Sequence, residues 1–160
     1  MTSENIPTNA DDREIVLTRE FDAPRELVWE AWTNPEHLGR WWGPDGYTTT
    51  IHEMDVRAGG TLRFNMLAST GQDFPNYVVY SEVVRPERLV YKHSGDDEDL
   101  HSFQVTTTFD DLGDGRTRLT MRMLFPTTES RDATVAFGAV ELGYQTLRHL
   151  AELLETLVRA

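Results

Sequence analysis

Cysteine is absent from the 160 residues, which excludes disulfide frameworks, thiol nucleophiles and Cys-ligated zinc. Lysine is nearly absent: Lys92 stands alone among fifteen basic residues, against twenty-seven acidic ones, and the formal charge is −12. Such a balance repels phosphate backbones and anionic bilayers, so neither nucleic acid nor a membrane surface is an expected partner. Long apolar runs are missing as well. No window approaches the ~20 apolar residues of a membrane span, and the opening MTSENIPTNADD has neither the basic region nor the apolar stretch of an export signal. A cytoplasmic location is the expectation. The sequence also lacks HExxH, Gly-x-Ser-x-Gly and any Gly-rich phosphate cradle. "DDLGDGRT" superficially resembles a calcium loop, but Leu112 occupies a ligand position and no glutamate closes it, so it reads as a hairpin turn. No metal and no cofactor are expected.

What remains is an ordinary globular composition, 39% hydrophobic and 26% charged, at a length that suits one domain with one core. Residues 1–12 are polar and acidic and are expected to form a disordered tail, leaving 13–160 as the domain. "REIVLTREF" alternates as a strand. Pro24 opens a helix through "RELVWEAWT", Asn34-Pro35 ends it, and Pro35 opens a second short helix with Trp41 and Trp42 at its exit. Six more strands follow at hairpin spacing, the first two joined through Gly59-Gly60. In the last two, His101, Phe103, Val105, Thr107 and Phe109 share one face, as do Leu119, Met121, Met123 and Phe125. From Glu129 or Ser130 onward the period is helical, with Phe137, Val140, Tyr144, Leu147, Ala151, Leu154 and Val158 on one stripe. Gly138 and Gly143 interrupt it and predict a kink, a break or a close approach.

This order is α+β. The dry face of a single antiparallel sheet needs a cover, and the terminal helix alone is long enough to lie across it. The sheet is expected to curl around that helix as a seven-stranded grip, with the two short helices after the first strand closing one end. Where sheet and helix diverge, a cavity is expected.

"REFDAPRELVWEAWTNPEHLGRWWGPDGYTT", "DVRAGGTLRF", "VVRPERLVY" and "GYQTLRHLAELL" together resemble the START-like, SRPBCC (Bet v 1-like) superfamily. Within it the chain is most similar to the branch of the activator of the heat-shock-protein ATPase, over about residues 13–158. The resemblance implies the helix-grip fold and a cavity for lipids, steroids, polyketides or other hydrophobic molecules. Two positions depart from the family pattern: Gly143-Tyr144 stands where Gly-Trp is usual, and Val78 where glycine is usual. In the family both positions look toward the cavity.

The expected lining of that cavity is Trp41, Trp42, Phe64, Met66, Tyr80, Tyr91, His93, Phe103, Met121, Met123, Phe137 and Tyr144. Each is also a natural core residue at its spacing, and methionine in particular fills irregular gaps. One of the paired indoles is expected to close the core and the other to border the pocket. Catalysis, if present, would fall to Glu82, His93, His101 or Tyr91. An inward Glu82 would be desolvated and poised as a base, whereas pairing with an arginine such as Arg63 would make it structural. His93 and His101 flank the acidic loop 95–99, but no third ligand fixes a metal beside them.

Three functions follow. The first is binding of a small hydrophobic molecule. The second is a cyclase- or hydratase-type enzyme with one inward acid or base. The third, which the resemblance implies, is regulation of a chaperone ATPase; against it, the eukaryotic activators carry a further domain ahead of this one. A homodimer is left open.

Overall fold

The computed structural model describes residues 12–95 and 102–159. The expected tail, apart from Asp12, lies outside them, as does His101. Strand β1 (Glu14–Phe21) leads into helices α1 (Arg25–Thr33) and α2 (Pro35–Trp41). Strands β2 (Tyr47–Met54), β3 (Thr61–Ala68), β4 (Asp73–Val84), β5 (Arg88–Ser94), β6 (Phe103–Gly113) and β7 (Arg116–Leu124) follow, then α3 (Thr128–Phe137) and α4 (Ala139–Arg159). The seven strands form one antiparallel sheet in the order β1-β7-β6-β5-β4-β3-β2. Thus β1 and β2, neighbours in sequence, lie at opposite edges, and α1 and α2 carry the chain from one edge to the other. This is the curved helix-grip arrangement expected from the sequence.

Pro24 sits one residue earlier than expected, as the extended N-cap of α1, while Asn34 caps α2 by accepting from the Glu36 amide at 3.0 Å. The dry face of the sheet, with Leu17, Leu62, Phe64, Val78, Tyr80, Leu89, Tyr91, Val105, Phe109, Leu119 and Met121, packs against Val28, Trp29, Trp32, Leu38 and Trp41 from α1 and α2. From α4 it receives Leu147, Leu150, Leu153 and Leu154.

The single terminal helix expected from the sequence is two helices, because the chain breaks at Gly138. Its φ is +100°, and its amide donates to Val135 O at 3.0 Å, a left-handed cap that L residues adopt only under strain. A capping box between Thr127 and Ser130 starts α3. Gly143, inside α4, serves the other purpose: a Cβ there would overlap Leu17 Cδ1, so its missing side chain lets α4 lie close on β1. One glycine breaks the helix and the other brings it down onto the sheet.

The break is testable. Gly138→Ala places a Cβ in left-handed backbone and is expected to destabilise the fold by about 1–2 kcal/mol, read as a lowered Tm. An unchanged or raised Tm would mean that α3 and α4 accept a continuous helix.

Candidate functional site

The two short helices deliver four indoles to one end of the sheet. Trp29 and Trp32, one turn apart on α1, both face inward; Trp29 meets Phe109 edge-on at 5.3 Å. Trp41, the last residue of α2, is 1% exposed, and its Nε1–H donates to Ala31 O at 2.8 Å. Trp42, the half-buried C-cap, is held by its carbonyl, which accepts from Thr49 Oγ1 at 2.7 Å. Trp32, Trp41 and Trp42 pack edge-to-face, with centroids 5.0 to 5.6 Å apart. Each such pair adds ~0.5–1.5 kcal/mol beyond area burial. Both adjacent tryptophans therefore belong to the core, and both also border a void.

Cavities lie on the dry face, and two of them meet at Trp42. The larger, about 140 Å³, sits beneath α4. The sheet side is Leu17, Tyr91, His93, Phe103, Val105, Met121 and Met123, the helix side is Ala139, Gly143, Thr146 and Leu147, and Trp41 and Trp42 close it. The smaller, about 20 Å³, lies beneath α1 and α2, enclosed by Trp32, Leu38, Trp42, Leu62, Phe64, Val78, Tyr80, Leu89, Tyr91 and His93. Trp42, Tyr91 and His93 line both cavities. Phe103, stacked on His93 at 5.3 Å and on Phe125 at 4.9 Å, also borders an open surface depression, which places it between the larger cavity and solvent.

No carboxylate stands among the described residues of either wall. Glu82 points outward. Ser81 is the extra residue of a bulge between Tyr80 and Glu82, so Glu82 pairs with Val90 on the wet face instead of sharing the face of Tyr80. There its carboxylate accepts from Arg88 Nε at 2.8 Å, which holds it below the usual glutamate range. The arginine partner is thus Arg88, not Arg63, whose guanidinium lies over the Tyr77 ring at 4.1 Å.

His93 is held by Asn76. The Asn76 amide donates through Nδ2 to Phe74 O, so Oδ1 is its acceptor and His93 Nε2–H donates to it at 2.8 Å. Burial pushes the phenols of Tyr80 and Tyr91 well above the ordinary tyrosine range, so both stay protonated. The Thr107 hydroxyl lies beside the Tyr91 phenol without hydrogen-bond geometry. The Trp32 Nε1–H, in an indole 3% exposed, has no acceptor among the described residues, an omission that costs ~1–3 kcal/mol for a buried donor.

Three expected lining residues stand elsewhere. Met66 does share the inward face of Leu62 and Phe64, but it lies near the end of β3, against Gly43 of the Trp loop. Phe137 is 77% exposed, because the break at Gly138 takes the last residue of α3 off the stripe that Leu147 and Leu154 follow. Tyr144 is 38% exposed, and its hydroxyl accepts from the Thr18 amide of edge strand β1 at 3.3 Å. Val78, by contrast, does face a cavity: it lines the smaller one.

One feature escaped the sequence reading. The loop after Trp42 is clasped to α4 by Gln145, Arg148 and His149. The Asp45 amide donates to Gln145 Oε1 at 3.1 Å, and its carboxylate accepts from Arg148 and from His149 Nε2 at 2.7 Å. His149 Nδ1 lies 2.8 Å from Gly43 O, so both ring nitrogens face acceptors. Positions 145, 148 and 149 form the polar neighbour of the cavity-facing 143, 146 and 147, which is the signal the sequence carried.

Residues 22–155 match the family described as Activator of Hsp90 ATPase homolog 1-like protein. A protein from Nitrosomonas europaea of known crystal structure is 26% identical, with a TM-score of 0.85 over 93% of this chain and 98% of that one. One from Chromobacterium violaceum is 29% identical, with a TM-score of 0.75 over 88% and 96%. A solution structure from Arthrobacter aurescens, 22% identical, shares the fold with a TM-score of 0.84 over 97% and 93%. No curated protein matches the sequence.

The clasp sets an acid limit on the loop. Arg148, and after it His149, hold the Asp45 carboxyl below the usual aspartate range. Its contribution is complete above that range and is lost as pH falls through the lowered value. Asp45→Asn is therefore expected to lower Tm at neutral pH by no more than about 3 °C, as suits an exposed network. The difference from the parent should vanish in strong acid. Thermal melts of both proteins across pH check this; a difference that persists in acid would assign the effect to something other than the carboxylate.

Proposed function

The chain belongs to the Activator of Hsp90 ATPase homolog 1-like family, and from that premise we propose that it binds one small, uncharged, mostly apolar molecule about the size of a single aromatic ring, in the cavity beneath α4. The observation that carries this reading is the cavity itself, about 140 Å³ and walled mainly by Leu17, Phe103, Val105, Met121, Met123 and Leu147. An apolar void of ~150 Å³ takes up benzene, whereas sites for drug-sized ligands run from ~300 Å³ upward. A lipid chain or steroid therefore exceeds the space, and the broad ligand class implied by the resemblance narrows to its smallest members.

Binding, and not turnover, fits the polar groups at hand. A cyclase or hydratase needs an acid or base that changes protonation during the reaction. The Tyr91 phenol is held protonated by burial, His93 Nε2 is occupied by Asn76, and Glu82 faces solvent. The family's description does not by itself give this chain a chaperone partner, because function belongs to the site and not to the fold. Met121 and Met123 supply walls that adapt to ring substituents.

Native mass spectrometry of the purified protein, with toluene titrated against the Met121 and Met123 methyl resonances, tests the reading. The expected outcome is saturable binding at one site. Thr146→Phe, which grows a ring into the cavity from α4, should weaken toluene binding at least about tenfold while shifting Tm by no more than about 4 °C. Methyl resonances that toluene leaves unmoved would refute the reading.

A further inference from the structure

We infer that Trp42 is the specificity-determining residue of the site: its indole is the partition that keeps the two cavities apart and holds the ligand to a single ring. The inference rests on the binding reading above and deepens it. The floor beneath the two cavities is shared, since Tyr91 and His93, successive inward residues of β5, line both. The cover is not shared. Trp32 and Leu38 roof the smaller cavity, whereas Trp41 and the first turns of α4 roof the larger. Among the described lining residues outside the sheet, Trp42 alone belongs to both.

The indole reaches from cover to floor. Toward the helices it packs against Trp32 and Trp41, with centroids 5.6 and 5.4 Å away, and toward the sheet it meets Phe64 at 5.9 Å and His93 at 6.3 Å. Its root is fixed as well, because Thr49 Oγ1 donates to the Trp42 carbonyl at 2.7 Å. The walls on its two sides are of one kind: Val105, Met121 and Met123 line the larger cavity, and Leu62, Val78 and Leu89 the smaller. An apolar ring suits either side. Size is what divides them. At about 20 Å³ the smaller cavity takes no ring by itself, whereas the larger, at about 140 Å³, takes one. An indole is itself two fused rings, so removing it opens a passage of that breadth between the voids. The ligand class then changes from one aromatic ring to two fused rings.

The test compares toluene with naphthalene, one ring against two, in the full chain with labelled methyl groups. In the parent protein naphthalene is expected to bind at least about tenfold more weakly than toluene, the cost of overpacking a closed void. Nuclear Overhauser contacts of bound toluene should reach the Met121 and Met123 methyls and not those of Val78 and Leu89, which line the smaller cavity alone. In Trp42→Ala, naphthalene should gain at least about tenfold and touch both sets of methyls at once. Val78→Ala, which enlarges the smaller cavity and leaves the indole in place, should keep naphthalene at its disadvantage. Equal affinity of the two probes in the parent, a gain for naphthalene in Val78→Ala, or contacts confined to one set in Trp42→Ala would each overturn the partition and leave the binding reading standing. Toluene that touches neither Met121 nor Met123 in the parent would instead overturn the binding reading, while naphthalene spanning both sets in Trp42→Ala would still establish the partition. If Trp42→Ala does not fold, Trp42→Leu takes its place, and the comparison of the two probes in the parent needs no variant.

Discussion

A sheet of seven strands spaced about 4.8 Å apart is about 29 Å wide, whereas one helix with its side chains covers only about 10–12 Å. That mismatch sets every other choice in the molecule. Helix α4 lies close against β1 because Gly143 has no side chain to hold it off Leu17, and its leucines spread from there over the adjoining strands. The strands on the other side, β3 to β5, are left to α1 and α2, which cover them with large rings. Two covers of different shape meet over one curved surface, and their edges do not match. The larger cavity lies under the first cover, the smaller under the second, and Trp42 stands at the seam.

The seam explains why bulky aromatic residues cluster on α1, α2 and the cap that follows them. An indole closes a gap that an aliphatic side chain would leave open, and three of them packed edge-to-face hold one another in place. The backbone around them is pinned from both sides: Thr49 of β2 holds the Trp42 carbonyl, and Gln145, Arg148 and His149 of α4 hold the turn that follows. The same loop therefore reports on the sheet edge and on the helix at once. Trp42, which lines both cavities, stands between these two attachments.

Most of the architecture was legible in the sequence because it rests on periodicity. Alternation placed Phe64, Tyr91, Phe103, Met121 and Met123 on the dry face, and the helical stripe placed Leu147 and Leu154 against it. What alternation cannot see is a residue that breaks count. The bulge at Ser81 turned Glu82 from the dry face to the wet one, and the break at Gly138 took Phe137 off the stripe. Gly138 and Gly143 were legible as interruptions, but their opposite roles follow from tertiary packing: one residue lies in left-handed backbone, the other beneath Leu17. The clasp on Asp45 and the unpaired Trp32 N–H were out of reach for the same reason. Each joins or isolates groups whose relation exists only once α4 and α1 are laid on the sheet.

The two cavities are bounded by largely different residues, and this separates what a substitution can change. Val78 and Trp42 both line the smaller cavity and help to limit it to about 20 Å³. Widening it by removing the Val78 side chain would admit larger groups without adding any polar contact. Tyr80 lies two residues from Val78 on the same face of β4, and Tyr91 pairs with Tyr80 from β5, so these rings bound the void from beside Val78 while Trp32 covers it from α1. A fold that leaves its covers mismatched can therefore vary the shape of its interior through one strand residue.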